Sequence, residues 1–378
     1  MPDVLIHADT IRSPELRHEV PLPVPDAFLY AERNGRRAVV VSALEAARVR
    51  EAVPGAEVLT PEHFGSDQLL EQGVPYDELD LEIAVRACRE LGIEDAAVPP
   101  SFPLELADRL RSEGTGVHVD RALFEQRRRA KNATEIEGVR RAQRACEAAL
   151  DAARELLRRA RASNGTLEVD GEPLTSERLK RVVEHVFGEH GVAADEFIVS
   201  HGAQTAIAHE MGHGPIAPGE PILFDLIPRD RETGCYSDMT RTYVVGEASD
   251  ELREYHRLVK RALDDALAST HAGVNGRTLM QATCDFFHEH GYPTPLHKQP
   301  GEVLVDGFFH GLGHGVGLEV HERPYLSRVG DELVAGDVVT LEPGLYRSGY
   351  GGVRLEDIVL VTDDGCENLT DYPYDLEP

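Results

Sequence analysis

One order of elements occurs twice in this chain, and it limits the fold more than any single motif does. Ile136, Val139, Cys146, Leu150, Ala153 and Leu157 recur at helical spacing, and a second helical pattern covers residues 176–189. The strand-like segments EFIVS, PILFDLIP and CYSDMTRTYVVG follow. Then the order starts again. Leu252, Tyr255, Leu258, Leu263 and Leu267 share one face of a helix beginning near Ser249, and another helix runs from about Arg277 to His290. DVVTLEPGLY and GGVRLEDIVLVT follow as strands. Identity between the halves is negligible, but the shared order predicts a duplicated half-domain.

Ahead of it, residues 1–125 predict a smaller α/β unit. FLYAERNGRRAVVVS holds two apolar runs around Asn34-Gly35, a hairpin signal. Short helices are expected near Ala43–Ala52 and Leu81–Leu91, and VPPSFP (98–103) reads as an irregular connection. A linker is expected over 126–135, with the larger domain over 136–370. The run Arg127–Lys131 in that linker is read as a solvated face rather than an anion site. Thr134 and Glu137 fit a capping box for the long helix.

The formal charge is −28, from 39 basic and 67 acidic residues. Such a balance repels nucleic acid and anionic membrane, so neither is an expected partner. Only four basic residues are lysines (Lys131, Lys180, Lys260, Lys298); the rest are arginines. Acid excess with scarce lysine points to a halophilic source, where salt screens repulsion beyond about 3 Å at 1 M. No stretch approaches the roughly 18 apolar residues of a membrane span. The N-terminus lacks a basic start followed by an apolar run, so a cytoplasmic protein is expected. The five scattered cysteines contain no C-x-x-C and read as reduced, structural thiols.

His209-Glu210-Met211-Gly212-His213 matches the H-E-x-x-H of zinc proteases. That chemistry needs a helix between the two histidines. Gly212 sits inside the required turn, and Gly214, Pro215 and Pro218 follow. Glycine costs about 1 kcal/mol and proline about 3 kcal/mol in a helix interior. The zinc-helix reading is set aside.

Acidic residues inside apolar strands are the stronger signal. Asp225 sits in ILFDL, Asp238 in YSDMTRT, Glu342 in TLEPGLY and Glu356 in GGVRLED. The turn-rich IPRDRETG predicts a hairpin that brings Asp225 and Asp238 together. HGLGHGVGLEVHE supplies His310, His314 and His321. Arg354 lies two residues before Glu356, on the same face of a strand. Buried carboxylates need partners or metal, and no lysine is near in sequence.

Here the chain resembles a known family. The series Asp225, Asp238, His314, Glu342 and Glu356, with SDMTRT, GHGVGLEVHE, LEPGLY and GGVRLED, is similar to the dimetal site of the pita-bread metallopeptidases (peptidase family M24). These include methionine aminopeptidases, Xaa-Pro aminopeptidases and prolidases, with creatinase as a relative. The resemblance covers roughly residues 130–365. It implies an α/β (α+β) chain whose C-terminal pita-bread fold has duplicated α-β halves behind a smaller creatinase-type α/β domain.

The resemblance also implies roles. Asp225 would chelate one metal, Asp238 and Glu356 would bridge two, and His314 and Glu342 would complete the second. A metal-bridging hydroxide would attack the scissile carbonyl, and Glu342 would shuttle the proton to the leaving nitrogen. His209, His310 and His321 would contact substrate or stabilise the intermediate, and Arg354 would orient Glu356. Two divalent ions are implied, with Mn2+ favoured by the oxygen-rich ligands and Co2+ or Zn2+ also compatible. The substrate implied is a peptide with proline at its second position, and the assembly a homodimer.

There are departures from the family pattern. The loop LIPRDRETGCYS is about two residues longer than usual, and EMGHG after His209 is unusual. These touch the pocket rim, not the ligands. Two other readings stay open: a creatinase- or ectoine-hydrolase-like amidohydrolase of small molecules, and a non-catalytic binding module on the same fold.

Overall fold

The computed structural model describes residues 2–194 and 196–378. The chain divides into two compact units, Met1–Arg128 with Glu232–Gly234, and Arg129–Arg231 with Cys235–Pro378.

The first unit is built on a six-stranded mixed sheet. Its strand Asp3–Ala8 pairs antiparallel with Phe28–Arg33 and parallel with Asp95–Val98. Strand alternation sends successive side chains to opposite faces. Leu5, Leu29, Ala31 and Val40 therefore meet Ile83, Ala84, Ala87 and Leu106 in one core. Val4, Ile6, Tyr30 and Val39 meet Leu16, Val49 and Phe124 in the other. The expected hairpin is present: Arg33 pairs with Arg36, and Asn34 and Gly35 take φ of 51° and 77°. Both central residues at positive φ fit the tight turn that matches strand twist. The helix expected at 81–91 starts earlier, at Tyr76.

The second unit shows the repeated order. Its first half holds the helices Ala133–Arg159 and Ser176–Glu189, then the antiparallel strands Ile198–His201, Pro221–Leu226 and Met239–Val244. Its second half holds the helices Asp250–Ser269 and Gly276–Glu289. A five-stranded sheet and the hairpin Gly344–Arg347/Gly351–Arg354 follow. Each half buries a helix stripe on strands. Cys146, Ala149, Leu150, Ala153 and Leu157 pack with Ile222, Phe224 and Tyr243. Leu252, Tyr255, Val259 and Leu263 pack with Val339, Leu341 and Val353. Among the described residues no helix is long and apolar enough to cross a membrane. All five cysteines are free thiols.

Two local expectations are corrected. The long helix is capped by Asn132 and Glu135, not by Thr134 and Glu137. The Asn132 side chain accepts from the Glu135 amide at 3.0 Å, and the Glu135 carboxylate accepts from the Asn132 amide at 2.9 Å. Both pairs satisfy the spacing rule. The earlier pair forms, and the helix starts at Ala133. The run Arg127–Lys131 is also not a solvated face. Arg127 pairs with Glu19 and Glu32 at 2.7 and 2.6 Å. Arg129 forks onto Asp337, and the buried Lys131 pairs with the buried Glu322. Partners this distant in sequence leave no trace in a local charge run, yet buried charges require them.

Candidate metal centre

The hairpin between Pro221–Leu226 and Met239–Val244 sets two carboxylates. Asp225 lies within the first strand and pairs in register with Thr240. Asp238 immediately precedes the second. His314 is the central residue of the short strand Gly313–Gly315, and Glu342 directly follows the strand Val338–Leu341. Glu356 sits between the strands Gly351–Arg354 and Asp357–Val361. These positions come from both halves of the unit, so neither half alone holds the set.

Ligand atoms of Asp238, His314 and Glu356 all lie within 4.8 Å of one another. The His314 Nε2 is 3.8 Å from Asp238 Oδ2 and 3.7 Å from Glu342 Oε1. Asp225 joins through Arg354, whose Nη2 donates to Asp225 Oδ2 at 2.5 Å. The sequence-predicted ligands thus converge.

The electrostatics are those of acids crowded out of water. Burial, then Glu356 and its neighbours, holds the Asp238 carboxyl far above its ordinary range. Burial and Glu356 do the same to Glu342. Burial and Asp225 push Glu356 up to about 8. His314 moves the other way, to about 4, chiefly through burial and then through the nearby His321. Its Nδ1 faces the Gly315 carbonyl at 3.2 Å, which can only accept. The ring is therefore neutral with its proton on Nδ1, and Nε2 offers a lone pair to the cluster.

A divalent metal fits this set. Asp225 Oδ1 and Asp238 Oδ1 are buried with no hydrogen-bond partner among the described residues. Buried carboxylate oxygens left in this state are costly, and a cation satisfies them. A histidine fixed through Nδ1 on a backbone carbonyl is the usual posture of a metal-binding imidazole. Oxygen-rich ligation with one imidazole suits the harder divalent ions.

The supporting side chains were only partly visible in the sequence. Arg354, expected to orient Glu356, bonds Asp225 instead, and also donates Nε to Thr240 Oγ1 at 3.2 Å and Nη1 to the Tyr346 hydroxyl at 2.9 Å. Glu356 is held by Thr240, whose hydroxyl donates to Oε2 at 2.7 Å and whose carbonyl accepts from the Glu356 amide. Asp238, Thr240 and Thr242 alternate along SDMTRT and share the site face, whereas Arg241 turns away to pair with Asp357. That period of two is the signal that could have identified Thr240. Tyr346 lay within the LEPGLY motif without a role. Its buried hydroxyl accepts from Arg354 and donates to His310 Nε2 at 2.9 Å. His310 Nδ1 donates to the Gly311 carbonyl at 2.8 Å. Both its ring nitrogens are therefore engaged, and burial lowers its pKa to about 3. His321 sits with its ring 4.2 Å from that of His314. His209 is exposed and lies close enough to His310 and His321 to contribute to their lowered pKa values.

The segment His209–His213 contains no helix. Gly212 takes φ +84°, and a Cβ there would lie 1.8 Å from the Val199 carbonyl oxygen. The segment lies along the strand Ile198–His201, with the Val199 amide on the Met211 carbonyl. His201, which the sequence reading passed over, fastens it. Its Nε2 donates to the His213 carbonyl at 3.0 Å and its Nδ1 faces Glu220 at 2.9 Å. His213 itself is exposed and takes no part in the metal cluster.

Comparison with known proteins agrees with this geometry. Residues 137–363 match metallopeptidase family M24. A "Xaa-Pro dipeptidase" from Pyrococcus furiosus is 33% identical over 192 residues, which cover 50% of this chain and 51% of that protein. The chain thus spans about half the length of the curated relatives it matches. Among solved structures, the X-Pro aminopeptidase from Thermotoga maritima superposes with a TM-score of 0.78 at 25% identity, covering 98% of this chain and 96% of that one. The Xaa-Pro dipeptidase from Bacillus anthracis gives 0.77 at 25% identity, covering 100% and 94%. The chain belongs to metallopeptidase family M24 and has its pita-bread fold.

Proposed function

We propose that this chain is a dinuclear metal-dependent peptidase that removes the N-terminal residue from peptides with proline at the second position. The observation that carries the proposal is the convergence of Asp225, Asp238, His314, Glu342 and Glu356, with buried carboxylate oxygens that no group among the described residues satisfies. Asp225 and Asp238 would hold one ion, His314 and Glu342 the other, with Asp238 and Glu356 shared. Mn2+ is the preferred candidate. When bound, such ions acidify water and stabilise negative charge on a carbonyl oxygen.

The chain's own residues do the rest. Glu342 is the most exposed of the site's three carboxylates with raised pKa, with 19% of its side chain exposed. It would carry a proton to the leaving nitrogen. Arg354 and Thr240 hold Asp225 and Glu356 in position. Burial keeps His310 neutral and Tyr346 orients it, so its ring walls the site without adding charge. His209 and His321 are left to meet the substrate. The names of the relatives support the proline preference, and the four acids and one histidine present at the five positions support catalysis over a binding module.

Asp238→Ala tests the assignment. Metal-stripped protein reconstituted with Mn2+ is expected to bind two ions per chain and to cleave Xaa-Pro substrates. The variant is expected to lose both ions' shared ligand and more than 99% of the activity. Hydrolysis by the variant near the wild-type rate, or wild-type protein that takes up no ion, would overturn the reading.

A further inference from the structure

The first unit holds a pocket of its own, of about 390 Å³, lined only by residues between Ala31 and Ile93. That size is within the roughly 300–1,000 Å³ of small-ligand sites. The hairpin of Phe28–Arg33 and Arg36–Val40 builds its floor. Ala31 pairs in register with Ala38, and Arg33 with Arg36. Strand alternation puts these four side chains on one face. The two alanines leave a shallow trough, walled by Leu59, Leu91 and Ile93. The two arginines stand at its end.

Like charges directly opposite on a strand pair destabilise it, so Arg33 and Arg36 need an answer. The unit supplies a weak one. Arg33 Nη1 donates to the Leu91 carbonyl at 3.1 Å, at the end of the helix Tyr76–Leu91. The Asp3 carboxylate stands 3.5 Å from Arg33, and that of Glu57 stands 3.9 Å from Arg36. Arg36 makes no hydrogen bond among the described residues, and 87% of its side chain is exposed. Arg37 also borders the pocket, with its Nη2 on the Pro54 carbonyl at 3.2 Å. Arg48, Arg127 and Arg141, by contrast, hydrogen-bond carboxylates at 2.6, 2.7 and 2.8 Å. Acid is plentiful in this chain, at 67 residues against 39 basic ones. Three neighbouring guanidiniums without a carboxylate hydrogen bond therefore leave a place for an anion from outside.

The lining narrows the kind of anion. A carboxylate is filled by one arginine fork, whereas a phosphate has oxygens enough for two opposed forks. Two carboxylates also border the pocket, Glu57 and Glu90. Glu90 is already engaged by His63 Nε2 at 2.6 Å, which leaves Glu57 to accept from hydroxyl donors on the ligand. The alanine floor between apolar walls suits a flat ring.

We propose that this pocket binds a nucleoside monophosphate. Its phosphate lies on Arg33 and Arg36, its ribose hydroxyls face Glu57, and its base covers Ala31 and Ala38 against Leu59 and Ile93. The site lies wholly within the first unit and shares no residue with the metal cluster.

Calorimetric titration of the full-length, Mn2+-loaded protein with AMP, adenosine and inorganic phosphate tests this. AMP is expected to bind at one site per chain. Adenosine and phosphate are each expected to bind at least about tenfold more weakly, the scale of one charge-assisted hydrogen bond. Arg36→Gln is expected to weaken AMP by about the same factor and Arg36→Lys by less, because a lysine keeps the charge but not the fork. Arg36 is exposed and bonds nothing in the fold, so the variant's Tm is expected to match the wild type. Arg48→Gln, which removes an exposed arginine already paired with Glu45, is expected to leave AMP binding unchanged. Absence of AMP binding would overturn the proposal. So would adenosine or phosphate binding as tightly as AMP. AMP held by the metal ions instead would bind wild type and Arg36→Gln alike, and that result would overturn it too.

Discussion

Tyr346 shows how a single hydroxyl links the two functions of the site. It accepts from Arg354, which holds Asp225, and donates to His310, which walls the cavity. Burial pushes its phenol up to about 12, so it remains a donor at any pH of interest. Tyr346→Phe leaves an arginine N–H and an imidazole nitrogen without partners in a buried place. That is expected to cost about 1–3 kcal/mol of stability in urea unfolding. Metal content is expected to stay at the wild-type level, because Arg354 keeps its separate bond to Asp225. Loss of metal in this variant would show that Tyr346 supports the ligand shell itself. Thr240 makes the contrasting case. Its hydroxyl is the direct support of Glu356, and Thr240→Val is expected to weaken metal binding by about 10–100-fold, read by competition with a chelating dye.

At the scale of elements, the long helix Ala133–Arg159 starts at a reciprocal cap directly after a buried cation. Asn132→Ala removes one half of that cap and is expected to cost about 1 kcal/mol, visible as a lower urea midpoint with an unchanged slope. Thr134→Ala is expected to cost clearly less, because Thr134 lies inside the helix and its side chain caps nothing. Equal effects would restore the box first read at Thr134 and Glu137. At this scale the sequence is legible where its signal is periodic. The helix stripes and the strands carrying the acids lie where spacing and apolar runs put them. Local pattern misleads where two overlapping rules compete, and where a charge run finds partners about two hundred residues away.

Across the whole molecule, the acids of the site govern how stability depends on pH. Asp238, Glu342 and Glu356 have folded pKa values raised by burial and by one another, with Glu356 near 8 against an ordinary 4.5. Each raised group holds its proton in the folded chain at a pH where the unfolded chain has released it. Their contribution is complete below the ordinary carboxylate value and is lost as pH rises toward 8. Metal-free protein is therefore expected to show a falling Tm between pH 5 and 8 in scanning calorimetry. Added Mn2+ should remove the decline, because the bound cations stabilise the ionised acids and metal binding releases their protons. A metal-free Tm that rises across this window would mean the acids are not crowded as described.

The sequence by itself determined the family, the repeated helix–helix–strand order and which acids and histidine stand as candidate metal ligands. Each of these is written in short-range pattern: a helical period, a strand period, or an acid set in an apolar run. It also showed that the histidines of HEMGH could not share a helix, because glycine and proline interrupt the turn they would need. Only the tertiary structure decided which groups support the ligands. Arg354 reaches Asp225, Thr240 holds Glu356, and His201 fastens the loop of His209. These are contacts between residues brought together from opposite halves of a duplicated unit or across a turn. A hydrogen bond depends on distance and direction in space, and a linear pattern encodes neither until packing has fixed them.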